Sequence, residues 1–310
     1  MRLKERSVTF LILVSSARRK RYLGVDIKLV NKEMCAISHA VEDVASAQNQ
    51  EVIRRWLSPS DPSTNYNKAL HQRQKGTGLW LLQSGLFKKW KTERQSFLWL
   101  HGIPGCGKTI LSSTVIEHLK SNFPAQSLLY FYFDFTDVDK QTLDNLIRSL
   151  ISQLYDKRKD TQKLLDSLFS SCDNGRCQPT CESLCKVFLQ MINHVEEVYL
   201  VFDALDECRT RRGPLSEGLL AWIQSLLDLE QRNVHLLVTS RPEHDIELVL
   251  RKLAKPNGDI VPIQSDLIKA DIRSYVQARV RTGDGLVRWR SHPDVLDEIE
   301  RILMEKAQGM

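Results

Sequence analysis

The sequence predicts an α/β fold: a five-stranded parallel sheet covered by helices on both faces, with helical flanks. Two observations carry that expectation. Apolar runs of strand length alternate with segments of helical spacing, the order that parallel strands joined by crossover helices require. Two of the runs also end in chemistry-bearing turns, one glycine-rich and one acidic, and open sheets of this class bind ligands at that carboxyl edge.

In chain order, residues 1–32 read as a basic N-terminal leader, with nine Lys and Arg against Glu5 and Asp26. That segment alone holds +7, more than the +6 of the whole chain, and leaves the rest near neutral. A nucleic-acid partner for the main domain is therefore not expected, because phosphate-backbone affinity needs cations clustered on the folded surface. The apolar run Val8 to Val14 is only seven residues, far short of the ~20 that a spanning helix needs, so no membrane partner is expected either. Arg2, Lys4 and Arg6 before it and Ser15-Ser16-Ala17 behind it imitate a signal peptide at the short limit, and a short strand or poorly folded leader fits better. Arg18-Arg19-Lys20-Arg21 reads as a solvated charge run or an import patch.

Residues 33–75 are expected to form a helix, Ile37 to Trp56, and a linker whose turn formers run from Ser58 to Asn65. The main domain then spans 76–265. Its strands are Phe97 to Leu100, Leu128 to Phe135, Val198 to Phe202, Val234 to Thr239 and Ile260 to Ile263. Leu143, Leu146, Ile147, Leu150, Ile151 and Leu154 share one helix face, the clearest helical signal in the chain. Looser patterns cover Ile110 to Lys120, Cys181 to His194, Leu219 to Leu229 and Asp245 to Leu253. Residues 266–310 begin a C-terminal helical region, with helices Ala270 to Val280 and Pro293 to Lys306. No repeat appears at solenoid periods, and the last helix reaches Met310 without a stop signal, as a fragment of a longer chain would.

Composition narrows the class. With 310 residues and 42% hydrophobic content, the chain can bury one sizeable core. Seven cysteines without regular spacing argue against a secreted disulfide framework and for a reducing, cytoplasmic setting. Cys172, Cys177, Cys181 and Cys185 lack a paired C-x-x-C and read as buried or incidental thiols rather than a zinc site.

Gly102-Ile103-Pro104-Gly105-Cys106-Gly107-Lys108-Thr109 satisfies G-x-x-x-x-G-K-[ST] and stands between an apolar strand and an amphipathic helix, where such a loop cradles phosphates. Glycine permits the close approach of backbone amides to an anion, and the helix start adds its unsatisfied N–H groups. Lys108 is expected to reach the β- and γ-phosphates, and the Thr109 hydroxyl to ligate Mg2+.

The strand Val198 to Phe202 runs into Asp203-Ala204-Leu205-Asp206-Glu207. Asp203 is placed to hold the magnesium shell, and Asp206 and Glu207 are candidates for orienting or deprotonating an attacking water. The alternative is a set of helix caps or solvated loop acids. Arg241, at the end of another strand, is expected to touch the γ-phosphate, or else to pair with Glu243 or Asp245 at the surface. Trp80 and Trp90 read as packing residues, with a stacking role against a base open to Gly76–Trp80.

Together these residues resemble the NACHT domain of signal-transduction NTPases, and more closely the fungal nephrocystin-3-like group. The carriers are His101–Thr109, Leu200–Glu207, Thr239-Ser240-Arg241-Pro242 and the entry segment Gly76-Thr77-Gly78-Leu79-Trp80-Leu81, over residues 50 to 285. The resemblance implies a P-loop NTPase whose Arg241 strand lies between the P-loop strand and the Asp203 strand. It also implies ATP or GTP as ligand with Mg2+, slow hydrolysis as a switch, and self-association through the NACHT domain. The family's C-terminal repeat sensor is absent from this sequence, as is a histidine in a recognisable winged-helix domain. A non-hydrolysing nucleotide-binding interaction module stays open beside the enzyme. A metabolic kinase or small GTPase fits less well, since no N/T-K-x-D string and no acceptor pocket can be identified.

Overall fold

The computed structural model describes residues 32, 34, 38, 44, 47–123, 127–214, 217–228, 234–254, 259–263 and 265–307. Residues 1–31, which carry the leader, its apolar run and the Arg18–Arg21 cluster, lie outside them. The chain divides into two compact units, Met1–Trp56 and Leu57–Met310. In the first, residues 47–56 are helical, and Glu51 pairs with Arg54 and Arg55 one turn on.

The second unit opens with α1 (Ser63–Gln72), α2 (Leu79–Gln83) and α3 (Gly85–Thr92). Helix α1 begins inside the segment read as linker, because Asp61 accepts the Ser63 amide and hydroxyl, both at 2.8 Å. The turn formers thus start a helix as well as ending one.

Five strands follow: β1 (Ser96–His101), β2 (Ser127–Tyr132), β3 (Val198–Asp203), β4 (Val234–Ser240) and β5 (Ile260–Pro262). They form one all-parallel sheet in the order β2-β3-β4-β1-β5. The expected five-stranded α/β architecture is therefore observed, with the Arg241 strand between the P-loop strand and the Asp203 strand. Strand β2 stops at Tyr132, short of the expected Phe135, because Asp134 turns the chain by accepting the Thr136 amide at 2.9 Å.

Every residue of β2, β3 and β4 is buried, which for side chains that alternate in direction means that both faces are covered. On one face, α4 (Lys108–Asn122) packs Leu111, Val115 and Ile116 against Leu98, Leu100, Val201 and Leu237. On the other, Phe202 meets Trp222 of α8 (Leu219–Leu227), which meets Phe188 of α7 (Cys181–Asn193). Helix α5 (Leu143–Lys157) buries all six residues of its predicted stripe and is capped by Thr142. Helix α6 (Lys159–Ser171) lies outside the predicted helices, although Leu164, Leu165, Leu168 and Phe169 stand at helical spacing.

After β4 come α9 (His244–Leu253) and then α10 (Ser265–Thr282) and α11 (Pro293–Ala307), which share a small apolar cluster of Val276, Val280 and Leu296. Among the described residues, no helix is long and apolar enough to cross a membrane.

Candidate functional site

Strand β1 delivers the chain to the carboxyl edge of the sheet, and residues 102–107 turn it into α4. The turn is tight at both ends. A Cβ on Gly102 would stand 2.6 Å from Cys106 Sγ and 3.3 Å from Ile263 O, so a larger residue would force its neighbours to move. Gly105 and Gly107 take φ of +82° and +90°, the left-handed region that favours glycine. Gly107 is the N-cap of α4 and has no side chain to occupy the first-turn amides. Those donors and the positive end of the helix therefore face the loop, the local chemistry of an anion site. Lys108 Nζ folds back over the loop and donates to Gly102 O at 2.8 Å and Ile103 O at 3.0 Å. Ile103, Pro104 and Gly105 form the exposed crest, whereas Cys106 is buried. Burial pushes the Cys106 thiol pKa up, against the pull of Lys108.

One turn into α4, the helix meets the end of β3. Asp203 is 2% exposed and accepts three hydroxyl hydrogen bonds: from Thr109 at 2.7 Å, Ser112 at 2.6 Å and Thr239 at 2.7 Å. Burial raises its pKa, and the three hydroxyls and Lys108 oppose the shift. Thr239 holds the next residue as well, since its Oγ1 accepts the Ala204 amide at 3.0 Å. Ala204 sits at φ +58°, an uncommon left-handed alanine that turns the chain sharply after the carboxylate. The donor set of hydroxyl and carboxylate oxygens suits a hard cation such as Mg2+. Among the described residues no group of three or more His, Cys, Asp or Glu is placed to hold a metal, and Mg2+ takes only one or two carboxylates when phosphates and waters complete its shell. Thr109 and Asp203 fit that role.

The second acidic pair forms a separate constellation. Asp206 and Glu207 sit on the short 3-10 turn Leu205–Glu207. Arg241 grips Asp206 twice, with its backbone amide at 3.0 Å and its Nε at 3.1 Å. The surface acids weighed for Arg241 pair elsewhere: Glu243 with Arg211 at 2.8 Å, and Asp245 with Arg212 at 3.0 Å and Arg211 at 3.5 Å, while Arg211 also donates to Asp206 O at 2.7 Å. Glu207 Oε2 accepts the Phe135 amide at 2.9 Å. Burial raises the Glu207 pKa, the Phe135 amide opposes, and the carboxylates of Asp206, Asp134 and Asp203 add to the rise. A cavity of about 510 Å³ opens here, lined among others by Phe135, Asp206, Glu207, Arg211 and Arg241. The structure thus brings Lys108, Thr109 and Asp203 together, and Asp206 and Arg241 together. Among the described residues, no hydrogen bond or ion pair joins Glu207 or Arg241 to residues 102–109.

A second cavity, of about 520 Å³, lies against Gly105–Gly107, with Gly78, Leu111, Ile268 and Asp271 in its wall. Thr77 and Gly78 of the segment considered for base contact line it, whereas Trp80 packs against the core. Sequence reasoning missed Ser112, Arg211 and Asp271. Ser112 carried a usable signal, standing three residues after Thr109 and hence on the same helix face. Arg211 and Asp271 carried none.

Residues 76–241 match the family described as Nephrocystin 3, N-terminal. The chain is similar to the vegetative incompatibility protein HET-E-1 of Podospora anserina, 26% identical over 208 residues, which are 65% of this chain and 15% of that protein. Of solved structures, one of C. elegans PCH-2 is matched at 12% identity over 79% of this chain and 72% of that chain, with a TM-score of 0.31. The family match takes in more than half of the chain and every residue from Gly102 to Arg241 described above, and the chain belongs to the Nephrocystin 3 N-terminal family, a NACHT-like group.

Proposed function

We propose that this domain binds a nucleoside triphosphate, ATP or GTP, with Mg2+, and hydrolyses it slowly as the switch of a NACHT-type signalling protein. The observation that carries this reading is the Thr109–Asp203 contact of 2.7 Å, which sets a hydroxyl and a carboxylate side by side at the start of the glycine-turned helix. The glycine-turned loop and the first turn of α4 would present backbone amides to the phosphates, and Lys108 would exchange its two loop carbonyls for β- and γ-oxygens. Thr109 and Asp203 would hold Mg2+, which when bound neutralises charge on the β- and γ-phosphates. Ser112 and Thr239 keep the Asp203 carboxylate aimed.

Glu207, half-buried and raised in pKa, is the better placed of the two acids to take a proton from water. Asp206 is occupied by Arg241, so in this reading Arg241 is delivered to the γ-phosphate only when that pair opens. Hydrolysis then resets the packing of the helical flanks. Self-association through this domain and a cytoplasmic setting belong to the same proposal.

A second reading rests on a specific observation. Both acids already have partners, Arg241 and the Phe135 amide, which is the arrangement expected of a nucleotide-binding interaction module that does not turn over. Calorimetric titration with ATP, GTP and their diphosphates, with and without Mg2+, tests binding. Steady-state phosphate release by wild type and Lys108→Ala decides between the readings. Release by wild type no greater than by the variant, despite tight binding, ends the enzyme reading.

A further inference from the structure

The entry segment and the first C-terminal helix meet across 193 residues of sequence, where Gly78 N donates to Asp271 Oδ2 at 2.7 Å. Gly78 has a φ of +81°, and a Cβ there would stand 3.1 Å from both Leu111 Cδ2 and Thr114 Cγ2. The segment is therefore seated directly on α4, the helix whose first turn carries Lys108 and Thr109. Asp271 is flanked on α10 by two isoleucines that tie that helix down. Ile268 is buried in the same apolar cluster as Leu111 and Val115, and Ile272 packs against that cluster and against the Val276–Val280–Leu296 cluster as well. The carboxylate thus stands at the joint between α10 and the P-loop helix, and it lines the same cavity as Gly105–Gly107.

We propose that Asp271 is a positioning residue for bound nucleotide: by clasping the Gly78 amide it holds the 76–79 wall and α10 closed beside the P-loop, and so sets how slowly nucleotide leaves. The proposal rests on the reading of this cavity as part of the nucleotide site. A hydrogen bond from an amide to a half-buried carboxylate is charge-assisted and strong, and Asp271 reaches Gly78 from a helix that shares an apolar cluster with α11. Breaking the clasp loosens one wall without touching a phosphate contact, so it acts on departure rather than arrival.

The test uses the full chain loaded with a methylanthraniloyl-labelled ATP or GTP in Mg2+ and chased with unlabelled nucleotide. Hydrogen exchange over residues 76–82 is read in parallel on the nucleotide-free protein. Asp271→Ala is expected to release the label about tenfold faster, with association within about twofold of wild type. Asp271→Asn, whose amide oxygen still accepts from Gly78, is expected to stay within about threefold of wild type. Faster exchange over 76–82 in Asp271→Ala with unchanged release would overturn the proposal, since the clasp would exist without positioning nucleotide. Failure of wild type to hold labelled nucleotide would overturn the parent reading and this one with it, while the exchange data would still report whether the clasp forms.

Discussion

Thr109 Oγ1 donates to Asp203 Oδ2 across 2.7 Å, joining the first turn of α4 to the last residue of β3 over 94 positions of sequence. Two strands separate β1 from β2 in the sheet, and β4 alone separates β1 from β3. That spacing lets the helix following β1 lean over the end of β3. The contact follows from strand order as much as from the motif.

Lys108 Nζ donates to two loop carbonyls and lies 3.9 Å from Cys106 Sγ, all within the loop it covers, so its removal should act on ligand more than on fold. Lys108→Ala is expected to weaken nucleotide binding by about 2–3 kcal/mol, on the order of 30- to 150-fold in Kd, the scale of a hydrogen bond to a charged group. Stability should change by less than about 0.5 kcal/mol. Calorimetry with triphosphate and chemical denaturation without it check the two halves.

Glu207→Gln should leave nucleotide affinity intact and slow phosphate release by about 100-fold, the contribution of a positioned general base. A second, pH-dependent effect accompanies it. Because the folded-state pKa of Glu207 is raised, the protonated form favours folding. Its stabilising contribution is present below the ordinary glutamate value of about 4.3 and is lost as pH rises through the raised value. Glutamine does not titrate, so the variant should gain stability relative to wild type as pH is raised from about 4 to 7. Urea denaturation at several pH values reads this, and parallel profiles for the two proteins would refute the assignment.

The side chain of Asp206 is 4% exposed and that of its partner Arg241 is 45% exposed. Arg241→Ala should therefore cost about 1–2 kcal/mol, less than a fully buried pair because solvent screens the guanidinium and the Arg241 amide still serves the acid. A double-mutant cycle with Asp206→Ala should return a coupling of about 1 kcal/mol. Coupling near zero would mean that the pair contributes nothing to the folded state.

Strand β2 is a sheet edge, and α5 closes it with side chains. Gln153 Oε1 accepts the Tyr130 amide at 3.1 Å and Gln153 Nε2 donates to Tyr130 O at 2.9 Å, while Lys157 Nζ donates to Leu128 O. Gln153 imitates one rung of a neighbouring strand. Gln153→Ala should expose that rung, cost about 1–2 kcal/mol and raise the aggregation rate, since unpaired edges template strand addition. Thermal melting followed by light scattering tests both effects.

What the sequence determined by itself was everything written in local spacing. Alternating apolar runs marked five strands, the stripe from Leu143 to Leu154 marked α5, and Gly102 to Thr109 marked the phosphate loop, because each signal is carried by residues within a few positions of one another. The Asp61-Pro62-Ser63 start of α1 and the Leu164–Phe169 spacing of α6 were also local, and were legible to a closer reading.

Tertiary structure alone decided which local pieces meet. Strand order put Thr109, Ser112 and Thr239 on one carboxylate, gave Asp206 rather than Glu243 to Arg241, and set Gly78 against Asp271. Side-chain identity does not encode a partner that is tens to hundreds of residues away. The partner is chosen when burial of both sheet faces fixes the order of the strands and the helices that cover them.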